Sequence, residues 1–242
     1  MKNYKAVLAY DGTDFSGWQR QPDGRTVQGV VEEAVHKVTQ KKTVVHGAGR
    51  TDAGVHALGQ VASFRGAFKL ADDVLLRALN AVLPADVRIF SLEEAPAGFH
   101  ARKSARSKLY RYRIVNTPQV SPLDRRCVLH WPYSLDLRAM REAARMFVRT
   151  DDFTAFSSNR DRSPVRTVRR SELRKAGPEI VYTIEAEGFL RYMVRTIVGT
   201  LIDVGRGRIP PAQVEEIFRR RDRTLAGPTA AAKGLTLVHV DY

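Results

Sequence analysis

The residues best suited to chemistry lie in one short segment, Gly47 to Gln60, which reads GAGRTDAGVHALGQ. Four glycines surround Arg50, Asp52 and His56 there. Glycine loses more conformational freedom on folding than other residues, so this density indicates a backbone path that other residues cannot follow. The segment predicts a loop shaped around a phosphate, a nucleotide cofactor or the Asp52 carboxylate.

Two known phosphate-binding patterns fail at this loop. Gly47 and Gly49 begin the dinucleotide pattern G-x-G-x-x-G, but Asp52 occupies the third glycine position, where its charge would repel a pyrophosphate. Gly49 and Gly54 have the spacing of a P-loop, but valine and histidine follow where lysine and Ser or Thr are required. We therefore expect no nucleotide cofactor.

The sequence gives little support for metal-dependent or hydrolase chemistry. The six histidines are scattered, without an H-E-x-x-H motif or a cysteine pair. Asp11, Asp14 and Asp52 would suit the magnesium ion of a nuclease, but their spacing does not select it. Cys127, the only cysteine, has no activating motif, and no G-x-S-x-G elbow is present. We expect no metal and no cofactor.

The loop therefore presents Asp52 itself, with Arg50 beside it. The common structural interpretation is a surface aspartate paired locally with an arginine. The functional interpretation is a lone carboxylate in an RNA-binding cleft, acting as a nucleophile or a general base. The glycine density and the basic chain favour the functional interpretation.

The charge of the chain indicates a polyanionic partner. Its 242 residues carry 40 Lys and Arg against 26 Asp and Glu, a net charge of +14. Such an excess is typical of nucleic-acid binding, although an arginine-rich solvated surface gives the same count. No window approaches the ~18 apolar residues of a membrane span. A single cysteine permits no intrachain disulfide, so we expect a cytoplasmic protein without membrane contact.

Hydrophobic periodicity predicts two similar units. The first half alternates between strand and helix patterns in the order β-α-β-β-α-β. The second half repeats that order, with a helix opened by Asp136 and an inserted helix begun by Pro210 and Pro211. The predicted elements cover residues 4–10, 27–38, 43–45, 60–64, 74–82 and 87–92, then 108–115, 137–148, 165–173, 180–186, 190–201 and 235–240.

This pattern predicts an α+β fold with a mostly antiparallel sheet, flanked by helices, and a cleft between the two units. The polar, arginine-rich stretch Ala101 to Ser107 marks the boundary. We expect an N-terminal unit at residues 1–104, which carries the Asp52 loop, and a C-terminal unit at residues 105–242.

Several segments resemble one known family. GRTDAGVHALGQVASF closely resembles the signature of the TruA family, the tRNA pseudouridine synthases that act on the anticodon stem-loop. YDGTDFSGWQRQP, FHARKSARSKLYRYRI, DDFTAFSS, SPVRTVRR, FLRYMVRTIVGTLIDVG and DRTLAGPTAAAKGL match further family segments in family order. The likeness extends over nearly the whole chain, so coincidence is implausible.

The resemblance implies an isomerase that converts uridine to pseudouridine at positions 38, 39 and 40 of tRNA. It implies that Asp52 is the catalytic aspartate, that Tyr110 packs against the target uracil, and that Arg195 pairs with the aspartate. It also implies a homodimer that binds the anticodon stem-loop without cofactor or metal, and no other protein partner.

Pseudouridine formation fits a loop that holds only a carboxylate. The N1–C1′ bond of uridine breaks, the base rotates, and a C5–C1′ bond forms while the C5 proton goes to solvent. The reaction needs no redox cofactor. The carboxylate must attack the ribose or the base, or remove a ribose proton, and the sequence leaves these alternatives open.

The aromatic and basic side chains have two interpretations each. Flipping the target base out of its stack costs a few kcal/mol, of which a stacked ring offsets ~1–3 kcal/mol. Tyr110 suits this role, but it also shares a strand face with core residues. Arg195 would either pair with Asp52 or extend to the surface. Arg50 would enter the space left by the flipped base.

Three arginine-rich segments are expected to contact tRNA phosphates: ARKSARSK, the stretch from Arg160 to Arg170, and RRRDR. RRRDR fits a solvated helix face equally well. The alternative to an enzyme is a non-catalytic RNA-binding protein on the same scaffold. A magnesium-dependent nuclease is a third possibility, which strand cleavage would reveal.

Overall fold

A computed structural model describes residues 1–158 and 163–242. Contacts divide this part of the chain into two compact units. The first comprises Met1–Arg106 together with Thr236–Tyr242, and the second comprises Ser107–Leu235. In sequence, the second unit is therefore inserted into the first.

The first unit is built on a sheet whose central strand is β1 (Lys2–Tyr10). This strand pairs antiparallel with β3 (His56–Gly66) on one side and with β4 (Val87–Ala95) on the other. Successive side chains of a strand point to opposite faces, so one apolar face of β1 is buried. Its buried residues on that face are Tyr4, Ala6, Leu8 and Tyr10.

Two further strands pair with β3. The short β2 (His46–Gly47) is antiparallel to it, with His46 opposite Ser63. The strand β10 (Leu235–Asp241) is parallel to it, with Thr236 opposite His56. A strand that follows the whole second unit in sequence thus lies beside the start of β3, where the Asp52 loop ends.

Two helices accompany this sheet. The helix α1 (Val27–Thr39) begins at Thr26, whose side chain accepts a backbone hydrogen bond from the first turn. The helix α2 (Asp72–Val82) has two carboxylates in its first turn, where the helix dipole favours negative charge. It ends at Leu83, whose backbone is extended because proline follows.

The strands of the second unit pair antiparallel in the order β5-β9-β8-β7. A short strand, β6, pairs parallel with β5. The strands are β5 (Ser107–Val115), β6 (Leu129–His130), β7 (Thr150–Asp152), β8 (Val165–Ala176) and β9 (Glu179–Ala186).

The helices of the second unit are α3 (Leu137–Arg145), α4 (Met193–Gly205) and α5 (Gln213–Arg220). Helix α4 is buried almost all round, and only Arg195 and Asp203 along it are not buried. An aromatic cluster with ring centroids 5.0 to 6.1 Å apart adds to the core. Its members are Phe147, Phe153, Phe156 and Phe218.

The predicted α+β class with a mostly antiparallel sheet is confirmed. The first unit has the predicted order β-α-β-β-α-β, and the short strands β6 and β7 add to the predicted elements of the second. The predicted opening of α3 by Asp136 is also confirmed, because its carboxylate accepts the N–H groups of Arg138 and Ala139.

Several predicted boundaries are wrong. The inserted helix begins at Gln213 rather than at Pro210 and Pro211, and the helix predicted over residues 137–148 ends at Arg145. Residues 43–45 form no strand, because the N–H of Val45 donates to Oε1 of Glu32 at 3.0 Å rather than to a neighbouring strand. The helix predicted from Leu190 begins at Met193, because Tyr192 has a left-handed backbone with φ +63°.

The predicted division into residues 1–104 and 105–242 stays a prediction. In sequence, the compact units meet at Arg106 and Ser107, and the residues from Thr236 onwards belong with the first unit. Among residues 1–158 and 163–242, no helix is long and apolar enough to cross a membrane.

Candidate active site

The Asp52 loop joins β2 to β3, and backbone hydrogen bonds fix it. The N–H of Trp18 donates to the carbonyl oxygen of Thr51 at 3.0 Å. The N–H of Val55 donates to the carbonyl oxygen of Asp52 at 3.1 Å and closes a turn. The backbone on both sides of Asp52 is therefore held in place, as a positioned reactive group requires.

Glycines allow the segment after β1 to approach this loop closely. Gly17 has φ +96°, and a Cβ at this position would lie 2.7 Å from the carbonyl oxygen of Thr51. A Cβ at Gly12 would lie 2.0 Å from the carbonyl oxygen of Val55. Inside the loop, Gly54 has φ +77°, a backbone conformation that favours glycine. Close backbone contact therefore explains several of the glycines in this region.

A network of buried polar side chains supports the Asp52 loop. The hydroxyl of Tyr10 lies 2.8 Å from Oγ1 of Thr51. The side-chain amide of Gln60 donates to that hydroxyl at 3.3 Å and to the carbonyl oxygen of Gly49 at 2.9 Å. Burial raises the pKa of Tyr10 to about 12, so its hydroxyl keeps its proton at pH 7. The network thus holds the loop on both sides of Arg50.

Arg50 and Asp52 differ in exposure. Arg50 is exposed, and its Nε–H donates to Oε1 of Gln19 at 3.1 Å. Asp52, two residues further, is half-buried. The structure therefore brings these two predicted residues onto one loop of the first unit, with both reaching solvent.

His56, the third titratable residue of the segment, faces inward. It is buried at the start of β3, and its Nδ1 accepts the N–H of Gly12 at 3.1 Å. Oδ1 of Asp11 lies 3.1 Å from the same nitrogen. His56 therefore supports the segment after β1 rather than presenting a base to solvent.

Tyr110 lies on β5 of the second unit. It is 6% exposed, and its ring meets that of Phe189 edge-on, with centroids 5.1 Å apart at 87°. Tyr112 is fully buried, and its hydroxyl donates to the carbonyl oxygen of Ala231 at 2.7 Å. The two tyrosines share a strand face, as predicted, but only Tyr110 retains exposed surface.

Arg195 lies in the first turn of α4 and is half-buried. Its Nε–H donates to the carbonyl oxygen of Ala230 at 2.7 Å, and the N–H of Ala230 donates to the carbonyl oxygen of Arg195 at 3.0 Å. Its guanidinium lies over the ring of Tyr192, 4.8 Å from the centroid. These contacts fix the direction of the arginine side chain.

The chain before Ala230 is itself fixed on α4. A Cβ at Gly199 would lie 1.6 Å from the carbonyl oxygen of Pro228. The N–H of Gly227 donates to Oγ1 of Thr200 at 2.9 Å. Two of the quoted family segments, FLRYMVRTIVGTLIDVG and DRTLAGPTAAAKGL, therefore pack on each other and hold Arg195.

The arginine-rich segments differ in how far their charges are already paired. In RRRDR, Arg219 and Arg220 both bond to Glu216, and Arg221 lies 3.3 Å from Asp152. This favours the interpretation of RRRDR as a solvated helix face. In ARKSARSK, Arg102, Lys103 and Arg106 are exposed. Of the stretch from Arg160 to Arg170, residues 160–162 lie outside the described residues.

Some supporting residues were not found by sequence reasoning. The signal for Tyr10, Gly12 and Gly17 was present in YDGTDFSGWQRQP, where two glycines lie among aromatic and acidic residues, whereas Thr51 and Gln60 belong to the segment GAGRTDAGVHALGQ. In the described part of the chain, no three His, Cys, Asp or Glu side chains cluster as a metal site requires. The residues missed are Tyr10, Gly12, Gly17, Thr51 and Gln60.

The fold and the loop define an α+β protein that holds a carboxylate on a fixed backbone. A family model described as tRNA pseudouridine synthase matches residues 6–102 and 143–242. The chain is 47% identical over 244 residues to tRNA pseudouridine synthase A of Brevibacillus brevis, and both chains are fully covered. It is 41% identical over 254 residues to the protein of that name from Thermodesulfovibrio yellowstonii, again with full coverage of both. The corresponding identity for Anaplasma marginale is 46% over 245 residues, with 99% of each chain covered.

The chain belongs to the tRNA pseudouridine synthase family. It is an isomerase whose substrate is uridine in tRNA.

Proposed function

We propose that this protein converts uridine to pseudouridine at positions 38, 39 and 40 of the anticodon stem-loop, with Asp52 as the catalytic carboxylate. The observation that carries the proposal is the fixed, solvent-reaching position of Asp52. Hydrogen bonds to Thr51 and Gly49 hold its loop, while its own side chain is only half-buried. A positioned carboxylate is what the reaction demands of the protein.

The carboxylate acts when the N1–C1′ bond of the flipped uridine breaks. It either attacks the ribose or the base, or removes a ribose proton. The detached uracil then rotates, C5 bonds to C1′, the C5 proton leaves to solvent, and N1 takes up a proton. The product has the same atoms as the substrate, and no electrons are exchanged with a cofactor.

Three further residues have proposed roles. Tyr110 stacks on the flipped uracil, since an aromatic ring compensates part of the lost stacking. Arg195 forms a two-pronged ion pair with Asp52 and keeps it ionised. Its hydrogen bond to Ala230 and its contact with Tyr192 support this role because they fix the guanidinium. Arg50 enters the space left by the flipped base.

The proposal extends to assembly and location. The family resemblance implies a homodimer, which we propose is the active form. A tRNA substrate and a net charge of +14 support a cytoplasmic enzyme that binds the anticodon stem-loop.

Release of the C5 hydrogen tests this proposal. Three tRNA transcripts would each carry one 5-tritiated uridine, at position 38, 39 or 40, with cytidine at the other two. We expect the wild-type protein to release tritium from all three. Asp52→Asn should release none, while it binds tRNA within about tenfold of wild type, or ~1.4 kcal/mol.

Two results would contradict the proposal. Near wild-type turnover by Asp52→Asn, with deamidation excluded by mass spectrometry, would remove Asp52 from the chemistry. No release by the wild-type protein from any of the three transcripts would place the modified uridine elsewhere in tRNA.

A further inference from the structure

A second polar site lies in the first unit, apart from the Asp52 loop. It is a cavity of about 520 Å³ with Ser63 and Phe64 of β3 in its lining. Its remaining lining includes five basic side chains and no carboxylate. We call it the basic pocket, and its basic residues are Lys42, His46, Arg65, His100 and Lys103.

The wall of the basic pocket is held in place before any ligand binds. The side-chain amide of Asn3 donates to the carbonyl oxygens of Pro96 and Phe99, at 2.8 and 2.9 Å. The N–H of Ala101 donates to Oγ of Ser63 at 3.0 Å. The segment that carries His100 and Lys103 is therefore anchored at several points, and binding would not have to order it.

Two histidines meet at this pocket. The rings of His46 and His100 stack, with centroids 4.9 Å apart. Nδ1 of His100 accepts the N–H of Arg102 at 3.1 Å, so the proton of the neutral ring lies on Nε2. Burial, His46 and Lys103 lower the pKa of His100. Stacked imidazoles among lysines and an arginine disfavour further positive charge, and a bound anion would relieve that repulsion.

The basic pocket is close in sequence to the catalytic loop. His46 precedes Asp52 by six residues, which span at most about 20 Å when fully extended. One strand of a nucleic acid duplex rises roughly 3.4 Å per nucleotide. About six base pairs of duplex span this distance, so one stem-loop is long enough to contact both places.

We propose that the basic pocket binds a backbone phosphate of the same tRNA molecule whose target uridine is at Asp52. Lys42 and Lys103 supply the charge, and the histidines supply directed hydrogen bonds. This inference rests on the proposed function, because it assumes that the target uridine is at Asp52. The contact positions the stem-loop and does not enter the chemical step.

The test compares two double variants. Lys42→Met/Lys103→Met removes both lysines of the pocket. Lys41→Met/Lys69→Met removes two exposed lysines of the same unit that do not line it. With an anticodon stem-loop RNA, we expect the pocket variant to lose affinity several-fold relative to the control variant. The slope of its plot of log affinity against log salt should be smaller in magnitude, by the equivalent of about one phosphate contact or more.

A second measurement locates the phosphate. Methylphosphonate links, which are neutral, would replace single phosphates around the target uridine in the stem-loop. One such link should weaken binding to the wild-type protein and to the control variant, but leave binding to the pocket variant unchanged. Single-turnover tritium release at saturating RNA should be equal in the wild-type protein and the control variant.

The outcomes separate this inference from the proposed function. Wild-type tritium release with equal affinity and equal salt slope in the two double variants would refute the basic pocket as an RNA site. The basic pocket would also be refuted as an RNA site by a second result. In it, inorganic phosphate shifts the imidazole signals of His46 and His100, but no methylphosphonate link affects the affinity of the pocket variant and the control variant differently. Absence of tritium release by the wild-type protein would instead refute the proposed function.

Discussion

The hydroxyl of Tyr10, the last residue of β1, lies 2.8 Å from Oγ1 of Thr51, the residue before Asp52. This contact connects the central strand of the first unit to the loop that carries the carboxylate. Tyr10 is buried, and its hydroxyl also accepts a hydrogen bond from the side-chain amide of Gln60. A buried polar group without a partner is costly, so each member of this network depends on the others.

Tyr10→Phe should destabilise the protein and lower turnover. The change removes one hydroxyl and leaves two buried polar partners incompletely bonded, at a cost of about 1–3 kcal/mol. Denaturant unfolding at pH 8 measures the loss, and tritium release measures turnover. A variant with unchanged stability would show that the hydroxyl does not support the loop.

The same variant gives a prediction on pH. Burial raises the pKa of Tyr10 to about 12, against about 10 in an unfolded chain. The folded state therefore holds the proton more tightly, and its stabilising effect is complete below pH 10 and is lost as pH rises through 12. Tyr10→Phe lacks this titration, so the stability gap between wild type and variant should shrink from pH 8 to pH 11. A stability difference that stays constant from pH 8 to pH 11 would show that burial does not raise the pKa of Tyr10.

Gly17→Ala should disturb the catalytic loop, whereas Gly98→Ala should not. Gly17 has φ +96°, and its new Cβ would lie 2.7 Å from the carbonyl oxygen of Thr51. A Cβ at Gly98 meets nothing within 4 Å. We expect a loss of about 1–3 kcal/mol of unfolding free energy for Gly17→Ala, with reduced tritium release. The Gly98→Ala control should change stability by less than about 1 kcal/mol. Equal behaviour of the two variants would mean that the approach to Thr51 is unimportant.

Tyr110→Phe and Tyr110→Ala separate the ring from the hydroxyl. The Phe variant keeps the aromatic ring beside Phe189 and should retain most turnover. The Ala variant loses a stacking contribution of ~1–3 kcal/mol and should turn over 10- to 100-fold more slowly. Single-turnover tritium release with saturating tRNA provides the comparison. An inactive Phe variant would assign the hydroxyl a chemical role, such as proton transfer at C5.

Asp52→Ala and Arg195→Ala should be energetically coupled if the proposed ion pair exists. Arg195→Ala also loses the hydrogen bond to Ala230, so it should destabilise the protein by itself. The double variant should be more stable than the sum of the single losses by at least about 0.5 kcal/mol. Denaturant unfolding of all four proteins completes the cycle. Strictly additive losses would show that the two side chains do not interact.

Local pattern was enough to predict most of the elements. Neighbouring residues alone determine the alternation along β1 and the capping of α3 by the carboxylate of Asp136. Both predictions are confirmed. The strand predicted at residues 43–45 does not form, because the side chain of Glu32 accepts the backbone N–H of Val45 that a strand would need. Glu32 is distant from these residues in sequence. Periodicity reports which face of an element is apolar, but not what lies against it.

The candidate site was predictable only in part. Asp52 was found by excluding other chemistry and by resemblance, and its role, like those of Arg50, Tyr110 and Arg195, stays a prediction. The approach of Gly17 to Thr51 joins segments far apart in sequence, so no local pattern contains it. The contact between Tyr10 and Thr51 was hidden for the same reason.

The parallel pairing of β10 with β3 has a consequence for synthesis of the chain. Thr236 lies opposite His56, close to the end of the Asp52 loop, yet the ribosome makes it only after the entire second unit. Until then, the strand that leads out of the loop lacks this neighbour. We infer that a nascent chain, which grows in a place crowded with tRNA, carries its catalytic loop on an unfinished sheet and is inactive. A chain stopped at Leu235 should therefore release no tritium, and normal turnover by that truncated protein would refute the inference.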